Sequence, residues 1–243
     1  GHAGICELSY TPNRDANGTV DVSNAVTIFE QFEQSRQFWA YAVAERMIDS
    51  PRAFINQVPH VSFVHGQSQV DFLKARHAAM TCHHFFEEMV FTADRDLVRQ
   101  WAPLLVDGRD STPIAATRMV GGTDVNFGAL SRKLVNWMAT QDGCGISTGH
   151  RVTALRRNTA GWDVTVRDSE QNREFTTSAK FVFVGAGGGS LPLLQKSGIP
   201  EGKGFGGFPI GGQWLVCDNP EIVQQHQAKV YGQAQGEAPT MAV

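Results

Sequence analysis

The sequence predicts a mixed α/β (α+β) fold, and three observations carry that expectation. Long stretches place apolar residues at helical spacing, others alternate apolar with polar residues as half-buried strands do, and one unbroken apolar run enters a cluster of glycines. Strands and helices are interleaved along the chain, so no segment reads as purely helical or purely sheet.

From Ser23 to about Ile48 the residues Val26, Phe29, Phe32, Trp39, Val43 and Met47 predict a long amphipathic helix, capped near Ser23 or Asn24. Val58 to Val64, framed by Pro51 and Pro59, reads as a short strand, and helical patterns follow over Val70–Phe86 and Ala93–Leu105. Asn126 to Met138 sets Leu130, Leu134 and Trp137 or Met138 against Arg132 and Lys133, the two faces of a helix lying on a sheet. Val152–Arg156 and Trp162–Arg167 flank a turn at Ala160-Gly161 and predict a hairpin or meander. Phe181-Val182-Phe183-Val184 reads as a strand buried on both faces, a short helix follows near Leu191–Lys196, and Gln213–Cys217 is a further strand candidate.

The composition excludes several classes. Apolar residues make up 42% and charged residues 19%, which is ordinary for a globular protein and too apolar for a disordered one. Lys plus Arg (21) nearly balances Asp plus Glu (24) without basic runs, so nucleic acid is not an expected partner. No stretch approaches the roughly 20 apolar residues of a membrane-spanning helix. Cys6, Cys82, Cys144 and Cys217 form no CxxC pair and are expected as free thiols, and no His-Glu-x-x-His spacing marks a metal site. Gly1-His2-Ala3-Gly4 starts directly in a glycine-rich loop and the last residues close no element, so the chain is expected to be an internal piece of a longer protein.

Three kinds of residue carry chemistry. The strand-to-glycine passage at Gly185-Ala186-Gly187-Gly188-Gly189-Ser190 either lets backbone approach a nucleotide or is a plain tight turn, because Ser190 stands where GxGxxG needs its third glycine. It is not a hydrolase elbow, since Leu191 and Pro192 follow Ser190 where GxSxG needs a glycine. His60, fixed between Pro59 and a strand, is either a base for a hydroxyl proton or an imidazole satisfied by a neighbouring carbonyl. Arg36 and Arg118 interrupt apolar surroundings, as partners of substrate carboxylates or of structural Asp and Glu.

Several stretches together resemble the malate:quinone oxidoreductase family. They include Gly1-His2-Ala3-Gly4 with Glu7-Leu8-Ser9-Tyr10-Thr11-Pro12, Ser35-Arg36-Gln37-Phe38-Trp39 and Val58-Pro59-His60-Val61-Ser62-Phe63-Val64. Gly122-Thr123-Asp124-Val125-Asn126-Phe127-Gly128, the Phe181–Gly188 run, Leu191–Pro200, Gly206–Pro209 and Ala228-Lys229-Val230-Tyr231-Gly232 follow in family order. His65 departs from the family, where an aromatic residue is common.

The resemblance implies part of a glutathione-reductase-like or amino-acid-oxidase-like FAD fold, with an antiparallel substrate-domain sheet. On it, residues 1–20 are a segment of the FAD domain and 21–145 mainly substrate domain with helices. Residues 146–205 are then the FAD-domain meander and glycine-rich turn, and 206–243 a return to the substrate domain. The strand, loop and helix that grip the FAD pyrophosphate are expected upstream of Gly1. The implied activity is FAD-dependent oxidation of malate to oxaloacetate with electrons passed to a membrane quinone, a step of the tricarboxylic acid cycle. The implied setting is cytoplasmic, peripheral on the inner face of the cell membrane. His2, Ala3, Gly4, Val152, Gly185, Ala186 and Gly187 are the implied FAD contacts. His60 is the implied base, with Arg118 and then Arg36 as carboxylate clamps. The competing expectations are a related FAD-dependent 2-hydroxy-acid oxidoreductase, or a non-catalytic fragment serving as an interaction module without the pyrophosphate site.

Overall fold

The structure is a computed structural model that describes residues 3–11, 17–207, 211, 213 and 215–233. His2 and Trp214 lie outside the described residues. The architecture is mixed α/β, and the chain divides into two compact units: Gly1–Thr140 with Val216–Val243, and Gln141–Leu215. The segment before residue 12 therefore belongs to the same unit as the helices of the first half.

The first unit opens with α1 (Ser23–Ala44), whose buried residues Ala25, Phe32, Trp39 and Ala42 form one narrow stripe. Asp21 accepts the Ser23 N–H at 2.9 Å and satisfies one of the open donors at its start. The helix ends before Ile48 because Arg46 turns left-handed (φ 59°) and the Met47 and Ile48 N–H groups both fold back onto the Ala42 carbonyl. Then come β1 (Ile55–Gln57), β2 (His60–His65), α2 (Gln67–Met80), β3 (Val90–Thr92) and α3 (Arg95–Trp101). They are followed by β4 (Ile114–Met119), β5 (Thr123–Val125) and α4 (Phe127–Met138).

β2 is the middle of this unit. It pairs antiparallel with β4, which pairs in turn with β3. The period of two sorts its side chains. Val61 and Phe63 meet Ile114, Ala116, Val98, Ala102, Leu105 and Val106 on the face covered by α3, whereas Val64 meets Leu8, Val70, Leu73 and Ala115 on the face covered by α2. β1 pairs separately with β5, and Trp39, Phe54, Val125 and Leu130 join α1, this ladder and α4 in the largest core cluster.

The second unit contains β6 (His150–Asn158), β7 (Gly161–Asp168) and β8 (Arg173–Ala179) as an antiparallel meander, followed by α5 (Ser190–Lys196). Asn158 Oδ1 accepts the Ala160 N–H at the first turn, and Asp168 Oδ1 accepts those of Glu170 and Gln171 at the second. Leu155, Val164 and Val166 form its core, with Val152, Trp162, Val182, Val184 and Leu193 packed against them.

Two expected strands do not form. Phe181–Val184 joins no ladder: Val182 and Val184 rest on the meander core while Phe181 and Phe183 stay 78% and 84% exposed. The run is buried on one side only because no neighbouring strand among the described residues pairs with it. Gln213 and Leu215–Cys217 form no strand either, and Leu215 and Val216 are exposed.

The first unit resumes with α6 (Pro220–Val223) and β9 (Lys229–Gly232), which lies parallel to β2 and completes the order β3-β4-β2-β9.

Candidate active site

His60 begins β2 directly after Pro59 and is 2% exposed. Its Nε2 lies 3.0 Å from the Thr123 carbonyl oxygen, which only accepts, so Nε2 carries the proton and Nδ1 is the basic nitrogen of the neutral ring. Gly122 supplies the space: a Cβ there would run into the His60 ring and the Val58 carbonyl oxygen. Of the two readings of this histidine, the neighbouring carbonyl is the one the geometry shows, an imidazole tied to the Thr123 backbone.

The α2-covered face around His60 is polar in a way the sequence did not announce. Lys229 is the register partner of His60 and Tyr231 that of Ser62, so β9 adds both side chains to this face. Lys229 Nζ is 3.7 Å from Asp124 Oδ1, a loose pair. Ser62 Oγ donates to the Cys6 carbonyl at 2.7 Å and draws the segment from Ala3 to Thr11 across the sheet. Burial and a hydrogen bond with Glu7 push the Tyr10 phenol up to about 12. Burial, then the acidic groups of Cys6, Glu7, Tyr10 and Asp124, pushes Tyr231 higher still. Burial likewise holds the Cys6 thiol up at about 12, so it stays protonated.

Arg118 faces away from this cluster. It pairs with Val61 across the ladder and with Val90 on the other side, and strand alternation sends all three to the α3 side. There its guanidinium lies over the Trp101 ring, 5.6 Å from the centroid, and its buried Nε has no hydrogen-bond partner among the described residues. His60 and Arg118 are thus on opposite faces of one sheet and do not line a common pocket. Arg36 is elsewhere again, on α1, paired with Glu33 at 2.7 Å. It walls a cleft of about 640 Å³ with Gln37, Trp39, Phe54, Asn56 and Thr123. Thr123, whose carbonyl holds His60, joins that cleft to the histidine.

Of the expected FAD contacts, Ala3 is buried in the core cluster and Gly4 turns with φ 63°, where a Cβ would strike the Ala25 carbonyl of α1. Only glycine allows that approach of the segment to α1. Val152 is half-buried at a bulge between Val152 and Ala154. Gly185, Ala186 and Gly187 are exposed, and the Ala186 N–H is spent on Ser190 Oγ at 3.0 Å. That loop offers room to a cofactor more than it offers donors.

The free Cys6, Cys82, Cys144 and Cys217 match the expectation of thiols. No helix among the described residues is long and apolar enough to cross a membrane.

A family model described as malate:quinone oxidoreductase matches residues 1–243. The chain belongs to the malate:quinone oxidoreductase family. It is 54% identical over 244 residues to the probable malate:quinone oxidoreductase 2 of Pseudomonas aeruginosa, covering 100% of this chain and 48% of that protein. It is 49% identical over 245 residues to the probable malate:quinone oxidoreductase of Bradyrhizobium diazoefficiens, with 100% and 48% covered. It is 51% identical over 245 residues to that of an Exiguobacterium species, with 100% and 49% covered. The chain spans about half the length of these relatives.

Proposed function

We propose that this chain is the substrate-facing part of an FAD-dependent enzyme that oxidises malate to oxaloacetate and passes the electrons to a quinone. The observation that carries the reading is the buried His60, held by its Nε2–H on the Thr123 carbonyl and standing beside a cation, Lys229. Oxidation of a hydroxy acid needs a base for the hydroxyl proton and positive charge for the carboxylates, and this face has both. The names of the relatives supply malate and quinone as the substrates.

Bound flavin would accept the hydride that leaves the hydroxyl-bearing carbon. The residues of this chain do the remainder. His60 Nδ1 takes the hydroxyl proton, and the Thr123 carbonyl steadies the imidazolium that results. Lys229 is free to leave its loose pair with Asp124 and meet one carboxylate. The second carboxylate falls to Arg36 through the cleft behind Thr123. Arg118 would act on substrate only from the α3 face, and its proposed role is secondary to these two. The flavin contacts that the family resemblance implies, and that belong to this proposal, are His2, Ala3, Gly4, Val152, Gly185, Ala186 and Gly187. The fold that goes with this reading is a glutathione-reductase-like or amino-acid-oxidase-like FAD fold, with the protein peripheral on the cytoplasmic face of the membrane.

The test uses the full-length protein that carries this chain, mixed anaerobically with malate while flavin absorbance is followed. Malate should bleach the flavin, and His60→Gln should slow the bleaching by about 100-fold or more while the colour is retained. Bleaching by 2-hydroxyglutarate and not by malate would overturn the substrate. Unchanged bleaching by the variant would remove His60 from the chemistry.

A further inference from the structure

The cleft of about 640 Å³ that Arg36 walls has a mixed lining. Trp39, Ala40, Val43 and Ile55 are apolar, and Gln37 and Asn56 bring carboxamides. Phe32 and Phe54 meet Trp39 edge to face, with ring centroids 6.1 and 5.7 Å away, so the indole is fixed in the wall. Gln57 spends its Nε2 on the Val120 carbonyl at 3.2 Å, which leaves Gln37 and Asn56 to serve a ligand. Among the described residues the charged lining is Arg36 and Glu33, and the two are paired: Arg36 Nη1 donates to Glu33 Oε1 at 2.7 Å. With that pair closed the cleft carries no net charge. Its side chains are 51% and 30% exposed, and an ion pair this wet is held weakly and opens to a competing anion.

A space of this size with an apolar wall and a few amides suits a planar neutral ring that bears carbonyl oxygens. The wall takes the ring, and amide N–H groups donate to the oxygens. We propose that this cleft takes the head group of the quinone acceptor in turn with malate, and that the Glu33–Arg36 pair decides which of the two it holds. The inference rests on the functional reading above, in which Arg36 meets a malate carboxylate through the same cleft. Opened, the pair presents Arg36 to the carboxylate; closed, it presents an uncharged cleft to the ring. Taking turns also brings the acceptor to the electrons. Hydride leaves malate for bound flavin, so whatever occupies the malate position lies next to that flavin. The two electrons and two protons that malate loses are those that convert the quinone to the quinol, so the exchange balances with no further reactant. Glu33 is a specificity-determining residue in this scheme, acting through Arg36.

The experiment measures steady-state turnover of malate with a short-tailed benzoquinone in the full-length protein that carries this chain. The malate half-reaction is followed separately, as anaerobic bleaching of the flavin. Excess quinone should inhibit competitively against malate. Glu33→Gln leaves Arg36 unpaired, so the malate concentration that half-saturates bleaching should fall about threefold while KM for the quinone rises about threefold. Asn56→Ala removes a donor to the ring and should raise KM for the quinone about fivefold. Asn56 is exposed and Glu33 partly so, and neither change disturbs the core. Quinone inhibition that is not competitive with malate, or a quinone KM unmoved by both changes, would take the ring out of this cleft. Movement of both Glu33→Gln constants in the same direction would overturn the role of the pair in choosing between ligands. Wild-type flavin that malate does not bleach would overturn the functional reading itself, a failure distinct from a malate-reducible flavin whose quinone constants stay put.

Discussion

Gly122 and His60 show how closely a side chain can be fitted against a backbone. The imidazole occupies the space where a side chain at 122 would sit, and the Val58 carbonyl closes the same space from the backbone. Gly122→Ala should therefore destabilise the protein by about 1–3 kcal/mol, the range for overpacking a fixed core, and lower Tm in a melting experiment. Adding His60→Ala should recover only part of the loss, since the Val58 carbonyl remains. Full recovery would show the ring to be the sole obstacle. His60 itself was legible in the sequence, because a proline before a strand fixes its direction. Lys229, Tyr231 and Arg76 were not, because β9 is brought to β2 from far along the chain and α2 offers no local sign that its single arginine points inward. Arg118 was legible as an unusual cation but its face was not: one step of strand register decides between the two sides of a sheet.

Caps and turns make the elements testable one at a time. Asn126 Oδ1 accepts the Ala129 N–H at 2.9 Å to start α4, and Asn126→Ala should cost about 1 kcal/mol in a denaturant titration. In the meander, the Gln171 and then the Glu170 N–H hold Asp168 below the usual carboxylate range, helped by His150 and Arg173. A lowered folded value means that this contribution is present above the unfolded carboxylate pKa of about 4 and is lost as pH falls through the lower folded value. Asp168→Asn should flatten that acid dependence in circular-dichroism titrations, leaving the neutral-pH fold intact. A midpoint unmoved by the substitution would discount the two turn bonds. The helices and the β6–β7 hairpin were legible by period and turn chemistry. β8 was not, because it is exposed along nearly its whole length and carries no alternation. β4 was hidden by small residues: Ala115, Ala116 and Thr117 do not look like a buried strand until neighbours on both faces are known.

At the scale of the whole molecule, each unit has its own core, and the second exposes Phe181, Phe183 and Phe205. Apolar surface of this kind is a binding surface or an aggregation risk. The 243-residue chain should bind a hydrophobic dye strongly, and Phe181→Ser with Phe183→Ser should reduce that binding. Full-length protein should bind the dye weakly, and the same pair of changes there should lower its Tm. Equal dye binding by the chain and the full-length protein would show that nothing covers these rings. The apolar run at 181–184 was visible in the sequence, but apolarity reports a preference for burial and names no partner, so it was read as a strand where the described residues form none.

The parallel pairing of β2 with β9 also sets a timetable. A ribosome extends chains at roughly 5–20 residues per second, so β2 emerges many seconds before the strand that closes its edge, with the whole meander made in between. During that wait the newborn sheet offers an unmatched row of backbone donors and acceptors to anything nearby. That edge of β2 is covered only when Lys229–Gly232 docks along it, so the last strand of the sheet to be made is the one that closes its oldest open side.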